Sequence, residues 1–364
     1  MILSEILKVL EQMAPLAYAE DFDNVGLLTG QPHQKISGIL VCHDALETVI
    51  DEAITKDCNL VVCFHPILFS GIKKITGKNY VERAIIKAIK NDIAIYAVHT
   101  ALDNHKKGVN KIFCNALRLT NTQILVPKSN YIKKLVTYTI PENAEKLRNA
   151  LFDAGAGKIG NYEDCSFNSK GIGTYLGGED SQPEIGERFE FVENSEIKIE
   201  VTFEKYLQHP ILKALFQNHV YEEIAYEIYS LDNEHQNIGL GMVGILENPL
   251  TELEFLTFVK EKMQCGGIRH SAFTQKPIQK VAVLGGSGSF AIKNAIAVGA
   301  DAFLTADLKY HQFYEAEGKL LLADIGHFES ERFTKNYIVD YLKEKITNFA
   351  IILSEENTNP VQYF

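Results

Sequence analysis

The chain has 364 residues, of which 46% are apolar and 23% charged, with a formal net charge of −11. This length points to two domains or to one domain carrying an insertion. The acidic balance argues against tight binding along a phosphate backbone, which needs a basic excess to displace counterions, so nucleic acid is not an expected partner.

The opening MILSEILKVLEQM reads as an amphipathic helix with Ser4 as its N-cap. It lacks a basic leader and has charges inside its apolar stripe, so it is not read as a signal peptide. No segment has the roughly 18 uninterrupted apolar residues of a membrane span. Residues 36–120 alternate strands and helices: ISGILVC, ALETVIDEAITK, NLVVCF, VERAIIKAIK, AIYAV. Strands this apolar, separated by helices, indicate a mostly parallel sheet covered on both faces.

The middle of the chain has another pattern. KKLVTYTIP, CSFNSKGIGTYL, SEIKIEVTFE and EIAYEIYSL read as strands. Between them, ENAEKLRNALFDAG reads as a helix closed by Gly155 and Gly157, and HPILKALFQNH as one with Pro210 near its start. That order, βαββαβ, is ferredoxin-like. Residues 278–350 then repeat the first scheme with QKVAVLGG, FAIKNAIAVG, ADAFLTA, KLLLADIG and the helix ERFTKNYIVDYLKEKI. The expected fold class is α/β: two similar halves with mostly parallel sheets, residues 1–124 and 236–364, around an inserted α+β domain at 125–235. Cys42, Cys58, Cys63, Cys114, Cys165 and Cys265 form no CxxC pair and several sit in apolar runs. They read as small core residues of a protein in a reducing, cytoplasmic compartment.

Three strand ends carry the candidate chemistry, where ligands gather in open α/β sheets. DIGHFESER places His327 and Glu331 four residues apart, on one face of a helix. VVCFHPILF places His65 at a strand end, and AVHTALDN places His99 and Asp103 just beyond another. The set His65, Asp103, His327 and Glu331 offers only nitrogen and oxygen, which suits Zn, Fe, Mn or Co better than a thiolate-loving metal. Each residue also has a plainer account. Glu331 and Lys335 have the spacing of a surface ion pair, a strand-end histidine is more often structural, and Asp103 has the place of a turn cap. The glycine-rich VLGGSGSF is either a tight strand-to-helix turn or a phosphate cradle. Asp307, Lys309 and His311 in ADLKYHQF, and Asp23 and Asn24 in AEDFDNVGLLTG, have equally ordinary readings as caps, surface groups and turn residues.

As a set, DNVGLLTG, FHPILFSGIKKI, HTALDN with GVN, GGSGS, ADAFLTADLKYH, GHFESE and TNPVQYF resemble the GTP cyclohydrolase 1 type 2 homologue, or Nif-three-like, family over nearly the whole chain. The resemblance implies two α/β halves enclosing a pair of divalent ions. It also implies a PII/CutA-like insertion and a homohexameric toroid. It makes His65, Asp103 and Glu331 ligands of one ion, and His327 with a bridging Glu331 ligands of the other. The chain departs from the family at Phe64, where two successive histidines are usual. Phenylalanine cannot ligate, so one expected ligand is missing. The implied activity is hydrolytic opening of GTP or another small phosphorylated substrate, with His99 or His311 as proton carrier. The alternative is a non-catalytic metal-binding, regulatory or interaction protein.

Overall fold

LVVCFH at residues 60–65 and GILVCHD at 38–44 bury nearly every side chain, as strands sandwiched between helices do. The computed structural model describes residues 1–364. Its strands are β1 (Gly26–Thr29), β2 (Gly38–Asp44), β3 (Leu60–His65), β4 (Ala94–Ala97), β5 (Thr120–Pro127), β6 (Ile132–Thr139), β7 (Phe167–Leu176), β8 (Phe191–Glu204), β9 (Tyr226–Leu231), β10 (Gly239–Leu250), β11 (Arg269–His270), β12 (Ile278–Ser287), β13 (Ala302–Ala306), β14 (Leu321–Asp324) and β15 (Ala350–Leu353). They form a mixed α/β fold with three sheets.

The first sheet has the order β1-β4-β3-β2-β15, parallel except for β1. Alternate residues of β3 point to opposite faces. Val61 and Cys63 pack with Val49 and Ile50 of the helix Glu47–Thr55 and Ile85 of the helix Tyr80–Lys90. Leu60, Val62 and Phe64 pack with Leu3, Ile6 and Leu10 of the helix Leu3–Met13 and with Ile338 and Leu342 of the helix Thr334–Lys345. The second sheet has the order β11-β14-β13-β12-β10-β5, with β12, β13 and β14 parallel. Helices Val109–Ala116 and Glu252–Met263 cover one of its faces and Ile292–Ala297 lies on the other.

The two sheets exchange edges. β5 precedes every other strand of the second sheet in the chain yet forms its border, while β15 follows the whole second sheet yet pairs with β2 in the first. Residues Met1–Val126 and Asn237–Phe364 accordingly make one compact unit.

Residues Pro127–Gln236 make a second unit. Its elements run β6, helix Pro141–Asp153, β7, β8, helix Gln208–Asn218, β9. The antiparallel sheet has the order β7-β8-β6-β9. Leu147, Leu151, Ile211 and Leu215 of the helices meet Leu135, Ile199 and Val201 of the sheet.

Two local expectations change. Ser4 lies inside the first helix, whose N-cap is Ile2; Ile2 bridges to Lys35 and its amide donates to Glu5, which starts the helix before the serine. The stretch after β14 is two helices, His327–Glu331 and Thr334–Lys345. All six cysteines are free, and five are buried. No helix is long and apolar enough to cross a membrane.

Candidate metal centre

The parallel register sets Asp44 at the end of β2 beside His65 at the end of β3. The helix His99–Asp103 begins two residues beyond β4, and the helix His327–Glu331 begins three beyond β14. Gly326, at φ +95, is the left-handed residue that turns the chain into that helix. One turn later Glu331 stands on the same face as His327 and is almost fully buried.

Three donor atoms meet here. Glu331 Oε2 lies 3.3 Å from His65 Nε2 and 3.3 Å from His327 Nε2, and the two nitrogens are 3.4 Å apart. A tetrahedral ion with bonds of roughly 2.0–2.1 Å has ligand–ligand edges of about 3.3–3.4 Å. The triangle therefore has the dimensions of one face of such a coordination shell. Glu331 Oε2 is buried and has no hydrogen-bond partner, so the shared oxygen is not consumed by the protein. The donors present fit a divalent ion.

Each imidazole is aimed from behind. His65 Nδ1 donates to Asp44 at 2.8 Å, His327 Nδ1 to Asp307 at 2.6 Å, and His99 Nδ1 to Asp23 at 2.8 Å. A carboxylate on Nδ1 fixes the tautomer that leaves Nε2 available to a metal. The aspartates are held in turn. Thr358, in the terminal TNPVQYF, donates to Asp44 at 2.6 Å; Ser287 donates to Asp307 at 2.9 Å; the Thr100 amide and hydroxyl donate to Asp23.

The charges respond to this crowding. Burial alone would lower His65, but Asp44 and Glu331 outweigh it and raise its pKa to about 9. Burial opposes His327 in the same way, and Glu331 and Asp307 raise it to about 11. Glu331 is pulled well below the carboxylate range because the charges and contacts of His327, His43 and His65 overcome its burial. Asp103 is pushed well up by burial and by the neighbouring Glu331.

His65, His327 and Glu331 converge within 4.8 Å. Asp103 is outside that trio; its buried Oδ1 has no partner. The ring of His99 lies 5.2 Å from that of His65. His311 is exposed on the turn Tyr310–Ala316 among Tyr310 and Tyr314, apart from the cluster. The Glu331–Lys335 surface pair does not form, since Lys335 donates instead to the Ser354 carbonyl.

The glycine-rich turn has a positioning role. The Gly285 amide donates to Asn110 and the Gly286 amide to Ser330. Gly286 has φ +69, and a Cβ there would sit 2.6 Å from Glu331 Oε1. Its smallness lets β12 approach the carboxylate.

His43 and Asp44 were not singled out from sequence. His43 is 3% exposed, lies 3.4 Å from Glu331 Oε2 without hydrogen-bond geometry, and touches the Phe64 ring at 5.4 Å. The signal available was a histidine inside the apolar run ILVCHD.

A cleft of about 1000 Å³ opens beside the cluster, with Asp44 and His65 in its wall together with Lys73, Lys74, Tyr80 and Arg83. A second cavity of about 430 Å³ is bounded by His43, His65, His327 and the terminal Asn359, Pro360 and Tyr363.

The sequence profile described as Duf34/NIF3 (NGG1p interacting factor 3) matches residues 1–360. A Bacillus subtilis (strain 168) protein named GTP cyclohydrolase 1 type 2 homolog is 38% identical over 365 residues, covering 99% of this chain and 98% of its own. The crystal structure of a Bacillus cereus protein related to NIF3 superposes with a TM-score of 0.82 at 35% identity, covering 100% of this chain and 99% of that one. Staphylococcus aureus protein SA1388 superposes with a TM-score of 0.80 at 27% identity, again covering 100% and 99%.

Proposed function

Because the chain belongs to the Duf34/NIF3 (NGG1p interacting factor 3) family, we propose that it is a divalent-metal protein acting as a hydrolase on a small phosphorylated substrate. The observation that carries this reading is the triangle of His65 Nε2, His327 Nε2 and Glu331 Oε2, sized for one ion and backed by two aspartates. Zn, Fe, Mn and Co suit such donors. When bound, such an ion supplies Lewis acidity and lowers the pKa of water.

The remaining steps belong to the chain. His65, His327 and Glu331 hold the ion, with Asp103 as a further oxygen donor. Asp44 and Asp307 keep the imidazoles in their ligating tautomer. His99, oriented by Asp23 and close to His65, carries the proton. Lys73 and Lys74 in the adjoining cleft meet the phosphate groups. The relatives' name makes GTP the first substrate to try.

The unit at 127–236 is read as a ferredoxin-like insertion of the PII/CutA kind. Its βαββαβ order, with the two central strands β8 and β6 flanked by β7 and β9, supports that. The protein is read as a cytoplasmic homohexamer. A non-catalytic metal-binding role is the second reading, favoured by Phe64, a ring without donor atoms packed between His43 and His99.

The test is elemental analysis of protein purified without chelator, followed by assay of formate release from GTP with Zn, Fe, Mn or Co. At least one ion per chain is expected, with formate produced. An ion-free protein would sink the metal reading; bound metal without turnover of GTP or other nucleotides would favour the second reading.

A further inference from the structure

His43 is the one histidine of the cluster with no aspartate behind it. It lies at the end of β2, 3% exposed, and both ring nitrogens are buried without a hydrogen-bond partner. Its neighbours are mostly rings: Phe64 at 5.4 Å, Phe328 at 5.1 Å and His65 at 4.7 Å between centroids. Burying an imidazole with neither nitrogen bonded is destabilising, and folded proteins rarely leave such a group unless something other than protein completes it.

The polar atom that His43 faces is Glu331 Oε2, 3.4 Å from Nε2. That separation again equals a ligand–ligand edge of about 3.3–3.4 Å in a tetrahedral shell. His43 also forms a donor group with Asp44 and His65, but not with His327. Asp44 is already engaged by His65 and Thr358, which leaves Glu331 as the carboxylate available to His43. Phe64 contributes no donor on this side.

Building on the proposed metal role of the His65–His327–Glu331 trio, we infer that His43 is a ligand of a second divalent ion, shared through Glu331 and placed away from His327. The nitrogen that Phe64 cannot give thus comes from the neighbouring strand.

The test is titration of chelator-stripped, full-chain protein with Co(II), followed by visible absorption and metal analysis. The wild type takes two ions per chain. His43→Gln takes one, with the second weakened at least tenfold, and its metal-free melting curve reports whether it folds. His43→Cys keeps the second ion and adds a thiolate-to-cobalt charge-transfer band in the near ultraviolet, because a thiolate at this position binds the metal. Two ions of unchanged affinity in His43→Gln, a wild type that binds only one, or a folded His43→Cys without the charge-transfer band would each overturn the inference while leaving the trio intact. A wild type that binds none would overturn the trio as well.

Discussion

On one wall of the site, His65 and His327 are each clamped through Nδ1 by an aspartate. On the other, His43 is held only by packing, wedged among Phe64, Phe328 and His65. Both walls present an imidazole to Glu331 at 3.3–3.4 Å. The clamped wall fixes tautomer and ring angle. The packed wall fixes position but not tautomer. Burying an imidazole and aiming its nitrogen are separate achievements of a sequence.

The most severe perturbation removes the residue that both walls share. Glu331→Ala is expected to abolish metal binding, read by elemental analysis; retention of all metal in that variant would mean Glu331 does not hold the ions. His327→Ala comes next, removing the ion of the clamped wall and leaving another behind. Loss of everything in His327→Ala, with nothing lost in Glu331→Ala, would reverse their roles. Asp307→Asn or Asp44→Asn should weaken that ion by about 10–100-fold without changing its stoichiometry, measured by chelator competition.

A pH series sharpens the same contrast. In metal-free protein His65 and His327 lie above the ordinary histidine value of 6.5, at about 9 and about 11. Their charged contacts with Glu331 therefore stabilise the fold fully below about pH 6.5. That contribution is lost as pH rises through 9 and then 11. Thermal melts of the metal-free protein should fall across that range, and metal binding near pH 7 should release protons, detectable with an indicator dye. A melting temperature flat from pH 6 to 10 would contradict the assignment. The smallest effect belongs to His311→Ala, whose exposed ring stands apart from the cluster; its metal content and turnover should match the wild type.

Much of this site could be read from strand ends. His65, His99, Asp103 and the His327–Glu331 pair each follow an apolar run, where the periodicity that announces a strand also announces where its end will be. The supporting aspartates were harder. Asp44 serves a histidine 21 residues away, Asp307 one 20 away and Asp23 one 76 away, and such pairings exist only once the strands are in register. His43 was hidden for a different reason. Its run, ILVCHD, reads as core, and nothing local says that Glu331 will be packed against it. The stretch 236–277 shows no plain periodicity, although it contains the long β10 and a helix opened by a Thr251–Glu254 capping box. β10 loses its register with β12 between Ile245 and Leu250, which blurs the alternation that marks a strand.

The exchange of β5 and β15 sets an order of assembly. A chain emerging from the ribosome presents β2, β3 and β4 long before β15 exists. Until then β2, apolar on both faces, carries an open edge of unpaired amides and carbonyls, the kind that recruits other chains. His327 and Glu331 also arrive late, so the cluster they form with His65 cannot close while synthesis is under way. Newly made protein therefore passes through a stage with that edge open and the histidine cluster incomplete, and chains cut short before Ala350 should accumulate in aggregates rather than as a folded first half.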